Sequence, residues 1–158
     1  MTRIGCLPGL FFALCAGFPA GAEGVGLVEP GVYAVTTQIE TESSDPGTGT
    51  ILGSWTDPYA GAACLESEAD RRIRPETFAD ARCSFSNVRP DPYGEAFDVV
   101  CMFPEGLLSG AGTLAVDPTR PTEFRETFTL RGAGLSQRIT IKGRRAGECL
   151  AAEPLAGR

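Results

Sequence analysis

Four cysteines, Cys64, Cys83, Cys101 and Cys149, are scattered through a chain that contains no histidine. What they can do depends on where the chain works, and residues 1–22 address that. Arg3 supplies a positive start, Leu10 to Ala16 form a short apolar core, and Ala20-Gly21-Ala22 offers a small-x-small cut site. This pattern reads as a secretory signal peptide cleaved near Ala22. The apolar run is too short to span a bilayer, so no membrane span is expected. Lipidation at Cys15 would need a small residue before it, and Leu14 is not small. Export places the protein in the periplasm or outside the cell, where thiols oxidise, and cleavage discards Cys6 and Cys15. The reading is therefore one disulfide-bonded domain over residues 23–150, followed by a flexible tail at 151–158.

Four cysteines allow three pairings. Chain order favours Cys83–Cys101, which a turn near residues 91–94 would bring opposite each other, and Cys64–Cys149, which would tie a short helix to the chain terminus. A reactive or metal-bound thiol is the competing reading. No Cys-x-x-Cys pair exists to support it, and zinc sites need closer spacing. No metal or other cofactor is expected.

The absence of histidine removes the usual general base and the commonest metal ligand, and with them any Ser-His-Asp or Cys-His mechanism within this chain. The formal net charge is −6, which disfavours a phosphate backbone, so nucleic acid is excluded as a partner. The local basic clusters, Arg71, Arg72 and Arg74, then Lys142, Arg144 and Arg145, read as a solvated helix face and a solvated strand end.

Periodicity predicts an all-β fold: an antiparallel meander of about seven strands with one short helix, forming a curved sheet or a partly closed barrel. Gly31–Thr41 alternates, with Tyr33, Val35, Thr37 and Ile39 on one face. Ser43–Gly49 breaks it, and Thr50–Trp55 returns. Helical spacing runs from Cys64 towards Ala81, with Ser67 as cap and Glu68 and Asp70 in the first turn. Pro75 should end that helix by Arg74, with a further short turn over 76–81. Strands follow at Cys83–Arg89, Glu95–Phe103, Ser109–Val116, Thr122–Arg131 and Leu135–Gly143. Phe124, Phe128 and Leu130 face the core. Glu126 shares their face, which requires a rim position or an internal partner. Four Asp-Pro pairs, at Asp45, Asp57, Asp91 and Asp117, mark expected turns.

Several segments taken together resemble one family. Pro30-Gly31-Val32-Tyr33-Ala34-Val35-Thr36, Cys64-Leu65, the middle cysteines Cys83 and Cys101, and Lys142 to Cys149 resemble, in order and spacing, the exported bacterial family catalogued as domain of unknown function 3617. The likeness covers roughly Glu29 to Leu150. It implies an exported four-cysteine domain and no established activity.

Two groups of side chains are candidate sites. Asp91, Glu95 and Asp98 sit around one hairpin, and two converging carboxylates could hydrolyse a glycoside; turn chemistry and solvated strand positions are the favoured explanation, because the sequence shows no apolar pocket to tune a pKa. Trp55, Asp57 and Tyr59 alternate on an extended stretch, where Trp55 and Tyr59 could floor a ligand pocket or simply fill a rim. The expected function is a non-catalytic periplasmic domain binding a small apolar ligand or an envelope protein. The alternatives are a carboxylate-dependent hydrolase and a purely structural envelope component.

Overall fold

The protein, seen in a computed structural model, is described over residues 27–150 apart from residues 93, 105 and 133. The expected signal peptide and C-terminal tail lie outside the described residues. Seven strands form one sheet: β1 (Gly31–Ser44), β2 (Ile51–Leu65), β3 (Cys83–Asp91), β4 (Gly94–Phe103), β5 (Gly106–Val116), β6 (Glu123–Gly132) and β7 (Leu135–Gly147). Every neighbouring pair is antiparallel, in the order β2-β1-β7-β6-β5-β4-β3. The meander β3 to β7 is thus extended by the β1–β2 hairpin, which joins along β7. β2 and β3 are the two edges, and the sheet is open between them.

The alternation predicted from sequence sets the faces. Tyr33, Phe97, Val99, Leu108, Leu114, Phe124, Phe128, Leu130, Ile139 and Ile141 are all buried on one side. That side is strongly concave. Phe85 on β3 and Phe128 on β6 are three strands apart, about 14 Å in a flat sheet, yet their ring centroids lie 6.0 Å apart. Glycine makes this curl possible. A Cβ on Gly112 of β5 would lie 2.7 Å from Phe97 Cζ, so only a bare backbone lets Phe97 and Phe128 meet across that strand.

Residues 66–82 cross from one edge to the other and cap part of the concave face. Ile73 and Pro75 are buried there, and Phe78 stacks on Phe124 with ring centroids 5.1 Å apart. The helix expected over this stretch contracts to α1 (Glu68–Arg71). Cys64 and Leu65 belong to β2 instead, and residues 76–81 form turns and bends rather than a second helical turn. The helical spacing of Leu65, Ala69 and Ile73 was coincidental: Leu65 and Ile73 are buried in non-helical segments and Ala69 is exposed. The cap itself is as expected. Ser67 Oγ accepts from Asp70 N, and the Asp70 carboxylate accepts from Ser67 N at 3.2 Å.

The return strand also runs ten residues beyond the Trp55 end expected for it, continuing through Asp57-Pro58 without a turn. Proline has no amide hydrogen to donate, and an edge strand tolerates that because one of its sides is unpaired. The other three Asp-Pro pairs do lie at turns or hairpin ends. Asp45 Oδ1 accepts from the amides of Gly47 and Thr48, which holds its carboxyl below the usual range.

Both expected disulfides are present. Cys83 and Cys101 are direct cross-strand partners on β3 and β4. Cys64–Cys149 ties the end of β2, rather than the helix, to the segment after β7. Two of the arginines read as solvated are structural. Arg71 Nε donates to Val28 O at 2.8 Å, and Arg145 Nε donates to Pro30 O at 2.7 Å. They pin the segment before β1, where Tyr33 Oη donates to Glu29 O at 2.9 Å.

Candidate functional site

Because the crossover covers only part of the concave face, a groove remains between the two unpaired edges. It has a volume of about 540 Å³. Its floor is apolar: Ile39 of β1, Phe128 and Leu130 of β6, and Ile139 and Ile141 of β7. One wall is the crossover, from Phe78 to Arg82; the other is β2, with Trp55, Asp57 and Tyr59. A shallower lobe of about 300 Å³ continues along β1 and β2 over Val35 and Gly61 to Ala63. Thr37, Tyr59 and Phe78 line both spaces, so they form one elongated trough.

Register explains the β2 wall. Trp55, Asp57 and Tyr59 lie opposite Thr41, Ile39 and Thr37. Directly opposed residues share a face, so all three project on the concave side. They stay half-exposed because β2 is an edge: Trp55 is 49% and Tyr59 59% exposed. Polar side chains line the rest of this trough: Thr37, Thr41, Asp57, Asp80, Arg82 and Gln137. Thr41 is buried and its hydroxyl accepts from Gln137 Nε2 at 3.4 Å. Asp80 accepts two hydrogen bonds from the Arg82 guanidinium, at 2.7 and 2.9 Å, and these hold its carboxyl at about 2. The same guanidinium lies 4.6 Å from the centre of the Phe103 ring.

Asp91, Glu95 and Asp98 are not brought together as a cleft. Glu95 and Asp98 are three residues apart on β4, so their side chains leave opposite faces of the sheet. Asp98 stands on the convex side, where Asn87 Nδ2 donates to it at 2.7 Å and Arg89 lies 3.5 Å away; the hydrogen bond, then the guanidinium, lower its carboxyl. Among the described residues, the one close trio of metal-type ligands is Cys64, Glu66 and Cys149. Its two sulfurs are bonded to each other, which removes the thiolates that a metal would need.

One residue departs from both alternatives drawn for it. Glu126 is completely buried, and among the described residues neither carboxylate oxygen has a hydrogen-bond partner. It lies opposite Leu114 and Ile141, beneath the crossover. Burial, reinforced by the nearby charge of Glu76, pushes its carboxyl up to about 8. A neutral acid at pH 7 resolves the conflict that the alternation raised, because the apolar core does not then hold a charge.

Residues 28–149 match the family described as protein of unknown function DUF3617. The chain belongs to that family. The matched span of the DUF3617 domain opens at buried Val28 and closes at Cys149, so it coincides with the sheet and both disulfides. No curated protein matches the chain. Among solved structures, the ywiB protein from Bacillus subtilis is similar over 73% of this chain and 93% of its own, at 10% identity and a TM-score of 0.30. That likeness is too slight to carry an argument.

Proposed function

We propose that this is an exported, non-catalytic binding domain that holds a small, largely apolar ligand in the trough between β2 and the crossover. The trough itself carries the reading: about 540 Å³ of space with an apolar floor and two aromatic side chains, Trp55 and Tyr59, at its lip. That size and lining suit a ligand-binding cleft. Two disulfides point to an oxidising compartment, which supports export by the leader at residues 1–22. Hydrolysis by Asp91, Glu95 and Asp98 has less support, since the strand directs Glu95 and Asp98 apart.

Trp55 is the single tryptophan of the chain, so it reports directly on the trough. Titrating the oxidised protein with N-phenyl-1-naphthylamine, a neutral apolar fluorophore, should give saturable energy transfer from Trp55. Tyr59→Ala should weaken that binding several-fold while the unfolding midpoint stays put, because Tyr59 is exposed. Absence of saturable transfer, or a Tyr59→Ala variant that binds equally well, refutes the reading and favours a purely structural envelope component.

A further inference from the structure

We propose that the trough selects an organic cation with an apolar body, such as a long-chain alkylammonium, and that Asp57 is the group that reads its charge. This inference rests on the binding role proposed above. Two carboxylates line the trough, Asp57 and Asp80. Asp80 is held in two hydrogen bonds by Arg82 and is not available. Asp57 is half-buried, and among the described residues it makes no hydrogen bond and no ion pair. Trp55 and Tyr59 flank it at alternate positions of β2, each about 7 Å along the strand. All three project onto the concave side, opposite Thr41, Ile39 and Thr37. Two aromatic faces beside one carboxylate form the environment in which alkylammonium groups are held, by attraction to the ring faces and to the anion together.

The position of Asp57 sets the orientation. β2 is the sheet edge, so the charged head stays at the lip, partly in water, where holding it carries little desolvation penalty. The apolar body then lies inward on Ile39, Ile139 and Ile141. An anionic amphiphile would bring its head against Asp57, and the one basic side chain among the described residues lining the trough, Arg82, is already engaged by Asp80 and Phe103. The net charge of −6 adds long-range attraction for a cation and repulsion for an anion.

The test is to titrate the oxidised protein with decyltrimethylammonium, decanoate and 1-decanol, all below their aggregation limits, and to follow Trp55 emission. The expected result is saturable binding of the cation, about tenfold tighter than decanoate. Asp57→Asn should lower affinity for the cation by about tenfold and leave 1-decanol unchanged. Asp98→Asn, on the convex face, makes the same change in net charge and should leave the cation's affinity unchanged. An Asp57→Asn variant that binds the cation as tightly as the wild type, or decanoate binding as tightly as the cation, overturns this inference alone. If neither the cation nor 1-decanol binds, the parent reading of the trough fails with it.

Discussion

Replacing Glu126 with methionine should remove most of the pH dependence of stability between pH 5 and 8 and make the protein markedly more stable at pH 8. In the folded state this carboxyl keeps its proton up to about pH 8. In the unfolded chain it releases the proton near 4.5, the ordinary value. Between those limits the native state binds one proton more than the unfolded state. Stability is therefore full below the unfolded value and falls as pH rises, by about 1.36 kcal/mol per unit. The difference between about 8 and 4.5 corresponds to a total of about 5 kcal/mol, of which about 3.5 kcal/mol falls between pH 5 and 8. That is a large share of the ~5–15 kcal/mol that holds a typical domain together. The window is clean. The chain has no histidine, and the other shifted carboxyls, Asp45, Asp80, Asp98 and Asp117, move down from 3.8. Methionine is unbranched and similar in length to glutamic acid, so it should fill the site without a large cavity. Guanidinium unfolding at pH 5, 6.5 and 8 with both disulfides intact measures the slope. A wild-type stability that stays flat or rises from pH 5 to 8, or a methionine variant that keeps the wild-type slope, would refute the assignment of a buried neutral acid.

The two disulfides should differ in weight. Replacing Cys64 and Cys149 by serine opens a loop with a sequence separation of 85 and is expected to cost about 4.5 kcal/mol, whereas opening the 18-residue separation of Cys83–Cys101 costs about 3 kcal/mol; equal losses by denaturant unfolding would count against a chain-entropy origin. Gly112→Ala should destabilise by roughly 2 kcal/mol, because its Cβ would meet Phe97 Cζ at 2.7 Å and the Thr127 carbonyl oxygen at 2.6 Å. A Gly112→Ala protein with an unchanged melting temperature would show that the sheet does not need its curl at β5.

Where local chemistry decides, the chain was legible. Phe124, Phe128 and Leu130 declared their face by alternation, and Ser67 declared its cap. Glu126 was visible as a conflict, but its protonation was not, because that depends on Leu114, Ile141 and the crossover closing over it. Trp55, Asp57 and Tyr59 could be named from sequence as an alternating trio. That they line a trough follows only from the length of β2, which the Asp57-Pro58 pair had disguised as a turn. The expected helix shrinks to one turn because Leu65, Ala69 and Ile73 repeat at four only by coincidence, and no local signal shows that Leu65 ends a strand.

By itself the order of residues determined most of the strands, their inward sides and the Cys83–Cys101 bridge across one hairpin, since these follow from a two-residue repeat and from turns only a few residues long; the meeting of Cys64 with Cys149, 85 residues apart, belongs to the tertiary structure. Tertiary structure alone decided which edges stay unpaired, how far the sheet curls and what lies in the space left over. Those outcomes depend on contacts between strands distant in the chain, such as Phe85 against Phe128, and no short window of sequence contains both partners.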